Sequence, residues 1–406
     1  MKILLISDVY FPRINGVSTS IQTFAEELQT LGHTVHLIAP AYPAEWEDRL
    51  PTWRIRSRYL PFDPEDRLMH GREVKALLPV LRDEDYDLIH IQTPFQAHYL
   101  GLWLARRLGV PTVETYHTFF EEYLHLYLPL LPAFMARAAA RWFSRSQCNA
   151  VDTVVVPSGP IRSALAAYGV RQPLTILPTG ICPERFATGV GRRFRATHGI
   201  ADETPILLTV GRVAFEKNID FLVRMFRQVL VSRPDALLII AGEGPALPSL
   251  QRQISDLGLV PQVRLVGYLE RQQALVDCYA AADVFVFASR TETQGLVLLE
   301  AMAAGTAVVS TAELGVKDVL VDGEGALIAP EDETVFAAKV LGLLEDADAR
   351  LTLAARGLAY VAKWSAPAMA GRLATLYRTL LTKRTPPDLD PQRLPPTESA
   401  QEAAPH

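Results

Sequence analysis

The sequence predicts an α/β protein built from two doubly wound domains with parallel sheets, and three observations support this fold class. The chain has 406 residues, 49% of them hydrophobic, which exceeds what one ordinary core needs and is enough for two. Short apolar runs alternate with helical patterns, as βαβ units require. This alternation begins a second time after residue 186. We therefore expect two parallel sheets that face each other across a cleft.

Ten apolar runs are predicted to be buried strands. Those of the first half are KILLIS, HTVHLIAP, DLIHIQ, PTVETYH and DTVVVPS, and those of the second are ILLTVGR, ALLIIAGEG, VRLVGYL, DVFVFAS and AVVST. Pro, Thr and Gly cluster between the two series in ILPTGICPERFATGVG, which predicts the joint. We predict an N-terminal domain over residues 1–185, a C-terminal domain over 186–364, and a disordered Pro-rich tail over 384–406.

Composition excludes several classes of protein. The net charge of −5 gives no basic surplus for nucleic acid. Cys148, Cys182 and Cys278 lack CxxC spacing, so we expect no zinc cluster, no disulfide framework and a reducing, cytoplasmic setting. Asp8 interrupts the first apolar run too early for a signal peptide. No stretch reaches the roughly 18 charge-free apolar residues that span a bilayer, so any membrane contact is expected to be peripheral.

Residues that directly follow strands are the first candidates for a site, because open parallel sheets bind ligands beyond the carboxyl ends of their strands. Asn15 and Gly16 follow the first strand and precede a Ser/Thr-rich helix start. A glycine there lets backbone N–H groups and the helix N-terminus approach an anion closely. An ordinary helix-entry turn would use the same residues, so both interpretations stay open.

Arg212 and Lys217 follow the first strand of the second half. A guanidinium fork and a compact ammonium group suit a diphosphate, although a solvated loop would carry the same residues. The next strand leads into AGEGPAL, which lacks the third glycine of GxGxxG. An NAD-dependent oxidoreductase is therefore disfavoured.

The stretch RTETQGLVLLEAMAAG, residues 290–305, places Glu292 in a loop and Glu300 inside the helix that follows. At the helical rise per residue, Glu300 lies roughly 6 to 8 Å behind the helix start. Two acids in these positions can bind hydroxyl groups of a sugar nucleotide while the helix N–H groups face its phosphates. The alternative is a helix-start acid and a surface residue. Glu300, however, lies in an apolar helix, where a buried carboxylate needs a partner.

A histidine and a basic helix complete the candidates of the first half. His117 follows the fourth strand, in a cleft position, and His125 is a weaker candidate; a satisfied core histidine is the alternative. Arg137, Arg141 and Arg145 recur every four residues beside aromatic side chains. Such a stripe suits an anionic membrane surface, or equally a solvated helix face.

The segments GRVAFEKN, GEGP, VGYLE and ASRTETQGLVLLEAMAAG together resemble the retaining, nucleotide-sugar-dependent glycosyltransferases of family four. The resemblance covers residues 1 to about 383. It implies the GT-B fold, with two facing Rossmann-like domains and a C-terminal crossover helix over residues 365–383 that returns to the first domain. YHTFFEEYLH and TETQGL are most similar to bacterial diacylglycerol glucosyltransferases, monotopic enzymes that make glycolipids at the cytoplasmic leaflet.

The same resemblance implies roles for single residues. Glu292 would hold the hydroxyl groups of the donor sugar, and Glu300 would bind the ribose. Arg212 and Lys217 would hold the diphosphate as it leaves, and His117 would contact the transferred sugar. Gln294 and Gly295 would present backbone N–H groups to the sugar or phosphate. The other donor-binding residues would be Asn15, Gly16, Gly211, Tyr268 and Thr293.

The function that this resemblance implies is transfer of a hexose from UDP-glucose or GDP-mannose to a lipid such as diacylglycerol, with retention at the anomeric carbon. No DxD-like acid pair follows a strand, so we expect no metal and no cofactor besides the donor. The alternatives are a lipopolysaccharide, carrier-linked or soluble saccharide acceptor, and a protein that binds a nucleotide sugar without transferring it. We expect a cytoplasmic enzyme, peripheral on the inner face of the plasma membrane.

Overall fold

The computed structural model describes residues 1–13, 15–43, 46–60, 63–117, 119, 133–270 and 273–384. His125 and residues 385–406 of the predicted tail lie outside these ranges, whereas Arg384 is the last residue of a helix. The strands of the first half are β1 (Lys2–Ile6), β2 (Thr34–Pro40), β3 (Thr52–Ile55), β4 (Ser57–Leu60), β5 (Asp63–Met69), β6 (Leu88–Ile91), β7 (Thr112–Thr115), β8 (Thr153–Val156) and β9 (Leu174–Ile176). Those of the second half are β10 (Ile206–Val210), β11 (Leu237–Ala241), β12 (Val263–Gly267), β13 (Val284–Phe287), β14 (Ala307–Ser310) and β15 (Ala326–Ile328).

Two parallel sheets organise these strands, which confirms the predicted fold class. The first sheet has seven strands in the order β3-β2-β1-β6-β7-β8-β9, and the second has six in the order β12-β11-β10-β13-β14-β15. In each sheet the first three strands follow one another outward from the centre to one edge. The chain then returns to the centre, and the remaining strands follow one another to the other edge. The switch points lie between β1 and β6 and between β10 and β13, which are the positions where doubly wound sheets bind ligands. Strands β4 and β5 form a separate antiparallel pair.

Helices cover both faces of each sheet. In the first half they are α1 (Gly16–Thr30), α2 (Gly71–Ala76), α3 (Leu78–Asp83), α4 (Gln96–Leu108), α5 (Ala133–Cys148) and α6 (Gly159–Ala167). The next two, α7 (Pro183–Phe186) and α8 (Gly191–Thr197), share an apolar cluster with strands of the second sheet. Those that follow are α9 (Ile219–Ser232), α10 (Leu247–Asp256), α11 (Ala274–Ala281), α12 (Leu296–Ala303), α13 (Val316–Val319), α14 (Glu333–Glu345), α15 (Ala347–Val361) and α16 (Ala366–Arg384). Each sheet is therefore buried between two apolar layers, which explains its continuous Val, Ile and Leu runs.

The last helix, α16, packs against the first half of the chain, which confirms the predicted crossover. Leu373 and Tyr377 share an apolar cluster with Ile21 of α1. The Tyr377 hydroxyl lies 2.6 Å from Nδ1 of His90, a buried residue of β6. The chain thus passes twice between the two sheets, before α7 and before α16. The domain limits at residues 185 and 364 stay a prediction.

Candidate active site

A cleft of about 980 Å³ lies between the carboxyl ends of the two sheets. Twelve of the residues that the sequence nominated line it, although they come from segments far apart in the chain. They are Asn15, Gly16, His117, Gly211, Arg212, Lys217, Tyr268, Glu292, Thr293, Gln294, Gly295 and Glu300. The structure therefore brings these twelve residues together, while the role of each residue stays a prediction.

Helix α1 begins at the cleft. Its N-cap residue, Asn15, and its first residue, Gly16, have different roles. Asn15 is the N-cap: its Oδ1 accepts a hydrogen bond from the Ser18 N–H at 2.8 Å. The Asn15 side chain is thus used by the helix itself. A Cβ placed on Gly16 would meet no atom within 4 Å, and Gly16 does not have a positive φ. The fold does not require glycine at this position, whereas a ligand that approaches the helix N-terminus would.

The two predicted cations are each paired with a carboxylate. Arg212 Nη2 donates to Glu216 Oε1 at 2.8 Å, and the Glu216 side chain is only 6% exposed. Lys217 Nζ donates to Glu292 Oε1, across 75 positions of the sequence, and both side chains are largely buried. The groups assigned to the diphosphate and to the sugar therefore lie side by side. The sequence analysis did not nominate Glu216. Its position four residues after Arg212 is the signal that could have indicated this ion pair.

A glycine-rich crossing of two loops lines the cleft beside these cations. Gly211 has φ +153° and Gly242 has φ +145°. A Cβ on Gly242 would lie 1.9 Å from the Gly211 carbonyl oxygen, so the loops after β10 and β11 touch through their backbones. The sequence AGEGPAL, which fails as a dinucleotide fingerprint, is explained by this close approach.

Helix α12 starts at the cleft and carries the second acid. Gly295, its N-cap, has φ +85° and ψ +53°, a left-handed conformation that favours glycine. Glu300 is 3% exposed, and its Oε2 accepts a hydrogen bond from the Tyr279 hydroxyl at 2.8 Å. The prediction of a buried, partnered carboxylate is correct. Tyr268, which follows β12, is half-exposed at the rim of the cleft.

His117 faces the cleft from the first sheet and contacts the loop of the second. Its Nε2 lies 3.1 Å from Gln92 Oε1, and its carbonyl oxygen accepts a hydrogen bond from the Thr293 hydroxyl at 3.4 Å. Burial lowers the pKa of His117 to about 4. Burial also lowers the pKa of His90 to about 3, and repulsion from the protonated form of His117 adds to this effect. Both imidazoles are therefore neutral at pH 7, so His117 can offer a hydrogen bond but not a charge.

We expect the free energy of unfolding to fall as the pH drops from about 6.5 to about 4, because the unfolded chain binds protons on His90 and His117 before the folded chain can. Above about 6.5 this contribution is complete. Urea unfolding at successive pH values measures it, and His117→Gln should flatten the slope between pH 6.5 and 5. An unchanged slope in that variant would contradict the assignment.

Asp8 also lines the cleft, although the sequence did not nominate it for the site. Its carboxylate has a structural role. Both of its carboxylate oxygens accept from the Ala97 N–H at 3.0 Å, at the start of α4. Its Oδ2 also accepts from the Thr93 hydroxyl at 2.9 Å. Asp8 thus fixes the first turn of α4 from the end of β1.

Among the described residues, no group of three or more His, Cys, Asp or Glu side chains could hold a metal ion. Within those same ranges, no helix is long and apolar enough to cross a bilayer. The basic helix α5 exposes Phe134 (73%) and Trp142 (63%) to solvent. Arg137, Arg141 and Arg145 are exposed on the same helix, so both parts of the predicted stripe face outward.

Two family models match the chain, one on each half. The model described as Glycosyltransferase Family 4 matches residues 14–185, and the model described as Glycosyl transferases group 1 matches residues 191–358. The boundary between the matches falls within the predicted joint.

Relatives and solved structures agree with these matches. The chain is 34% identical to an alpha-monoglucosyldiacylglycerol synthase of Streptococcus pneumoniae, over 76% of this chain and 71% of that protein. It is 29% identical to a GDP-mannose-dependent alpha-mannosyltransferase of Mycobacterium tuberculosis, over 95% and 98% of the two chains. The fold is similar to that of Anabaena HepE in complex with UDP and glucose, with a TM-score of 0.74, 18% identity, and coverage of 93% and 100%.

Proposed function

Because this chain belongs to glycosyltransferase family 4 and has the GT-B fold, we propose that it transfers a hexose from a nucleotide sugar to a lipid acceptor such as diacylglycerol. The observation that carries the proposal is the convergence of Arg212, Lys217, Glu292 and Glu300 in one cleft with the N-terminus of α1 opposite. Cations suit the diphosphate, and carboxylates suit sugar and ribose hydroxyl groups. We assign UDP-glucose or GDP-mannose as the donor.

The proposed reaction retains the configuration of the anomeric carbon. The bond from that carbon to the diphosphate oxygen breaks, and a bond to the acceptor hydroxyl oxygen forms on the same face. The acceptor proton passes to the departing phosphate oxygen. Negative charge develops on the diphosphate, and Arg212, Lys217 and the helix N-termini are placed in advance to stabilise it. Because these groups supply the positive charge, we propose that the reaction needs no metal.

The lipid acceptor is proposed from the relatives and from helix α5. The pneumococcal relative is named a monoglucosyldiacylglycerol synthase. Helix α5 exposes Phe134 and Trp142 beside three arginines, the combination that lies in the interface of an anionic bilayer. We therefore propose peripheral attachment to the cytoplasmic face of the plasma membrane. The aromatic residues would enter the headgroup region, and the arginines would contact lipid phosphates.

The test incubates the full chain with labelled UDP-glucose or GDP-mannose and with vesicles that contain or lack diacylglycerol, each with Mg²⁺ and, in parallel, with EDTA. A glycolipid with an α-linked sugar, formed only with diacylglycerol and faster on anionic vesicles, is the expected result. If product forms only when a soluble or carrier-linked saccharide is added, the acceptor is a saccharide and not a lipid. Donor binding with no product on any acceptor would overturn the proposed transfer, and loss of activity in EDTA would overturn metal independence.

We expect Gly16→Leu to weaken binding of the nucleoside diphosphate by about a hundredfold while thermal stability is kept, because the new side chain fills open space in the cleft. The matched control is Gly342→Leu, at an exposed helical glycine of α14 where an added Cβ also meets nothing within 4 Å. Calorimetric titration with UDP and GDP gives the affinities. Equal affinity in both variants would remove Gly16 from the site.

A further inference from the structure

A buried chain of hydrogen bonds joins the loop before α12 to helix α1. The Gln294 amide pairs with the backbone of Thr179 in both directions: the Thr179 N–H donates to Gln294 Oε1 at 2.8 Å, and Gln294 Nε2 donates to the Thr179 carbonyl at 2.7 Å. The Thr179 hydroxyl lies 2.7 Å from the Ser20 hydroxyl. All three residues are buried, so water does not replace these bonds.

The position of Thr179 in the chain makes this contact informative. Thr179 belongs to the first of the two passages between the sheets, next to Gly180 and Ile181. The Ile181 N–H donates to the Trp364 carbonyl at 2.9 Å, and the Ala366 N–H donates to the Ile181 carbonyl at 2.8 Å. A Cβ on Gly180 would lie 2.5 Å from Ala366 Cα. The two passages therefore touch each other beside Thr179.

The two ends of the hydrogen-bond chain lie next to opposite walls of the cleft. Gln294 is flanked by the loop that carries Glu292 and by Gly295, the start of α12. Ser20 lies one helical turn beyond Gly16 on α1. Moving the Glu292 loop relative to α1 would break paired bonds that have no solvent to replace them, and each orphaned buried group is costly.

We propose that the Gln294 side chain is a positioning residue, which, through Thr179 and Ser20, sets the separation between the sugar-binding loop and the N-terminus of α1. This role is distinct from the backbone N–H that Gln294 was predicted to offer the donor, and it rests on the proposed function for its effect on transfer. If the distance between the sugar-binding loop and α1 varies, the donor still binds to the residues of the second sheet. The reacting carbon is then poorly aligned with the acceptor, and water competes for the sugar.

The first test needs no substrate. Hydrogen exchange is followed in peptides that cover residues 291–296 of the full chain, in the wild type and in Ser20→Ala. Because Ser20 reaches this loop through Thr179, we expect exchange at 291–296 to rise by about threefold to tenfold. The control is Thr30→Ala, which removes an exposed hydroxyl at the far end of the same helix. Unchanged exchange at 291–296 in Ser20→Ala would overturn the coupling.

The second test separates positioning from simple stabilisation. In Gln294→Met, at a temperature well below its unfolding midpoint, we expect the ratio of sugar transfer to donor hydrolysis to fall by about tenfold or more. The affinity for UDP or GDP should fall by a smaller factor than this ratio, because Arg212, Lys217 and the backbone N–H of residue 294 are unchanged. A lower melting temperature with an unchanged ratio would mean that Gln294 only stabilises the fold. A wild type that transfers no sugar would refute the proposed function instead, and the exchange test would still decide the coupling.

Discussion

Replacing Lys217 with alanine is expected to lower kcat by about a hundredfold to a thousandfold with the fold intact, the largest single effect that we predict. The ammonium group lies in a largely buried position of the cleft, where charge interactions are stronger than in water. In the proposed reaction it stabilises the departing diphosphate, whose negative charge grows as the sugar leaves. Steady-state kinetics with saturating donor measures the effect, and circular dichroism checks the fold.

The matched control for this variant is Lys317→Ala. Lys317 also pairs with a glutamate of the second half, Glu313, at 3.2 Å, but both side chains are more than half exposed. An exposed pair of this kind contributes little, so its loss should leave kcat within about twofold. If Lys217→Ala turned over at a near-normal rate, the assignment of this cation to the leaving group would be wrong.

Most of the fold could be predicted from the sequence because buried parallel strands are continuous apolar runs. All ten predicted strands are present in the two sheets. The strands that were missed are the edge strands β3, β9 and β15 and the pair β4 and β5. β3 reads TWRI and β5 reads DPEDRLM. These two are not continuous apolar runs, and β9 and β15 have only three residues each, so none of them gives the signal of a buried strand.

The members of the site could be predicted, but their partners could not. The carboxyl ends of parallel strands meet at one edge, so residues after strands converge whatever the loops do. Pairing is different, because it depends on the conformation of the loops that follow the strands. The Lys217 to Glu292 contact spans 75 positions, and the Thr179 to Gln294 contact spans 115. Periodicity in a single sequence contains no information on either distance.

The ion pair between Lys217 and Glu292 leads to an expectation that the sequence alone would not have suggested. If Glu292 holds the sugar, then Glu292→Gln should lower kcat/KM for the nucleotide sugar by about tenfold to a hundredfold, because charged hydrogen bonds to hydroxyl groups become neutral ones. The same change removes the carboxylate that neutralises Lys217. Free UDP and GDP carry no sugar that Glu292 could contact. The Glu292→Gln variant should therefore bind them at least as tightly as the wild type does.

This opposite response of sugar nucleotide and free nucleotide separates Glu292 from Lys217, since Lys217→Ala should weaken both ligands. Titration calorimetry with each ligand, on both single variants and on the double variant, forms a complete cycle. Glu313→Gln, which disrupts the exposed pair with Lys317, is the control and should leave all affinities unchanged. Parallel weakening of UDP and UDP-glucose in Glu292→Gln would show that this carboxylate acts only by holding Lys217 in place, and the sugar would then need another anchor.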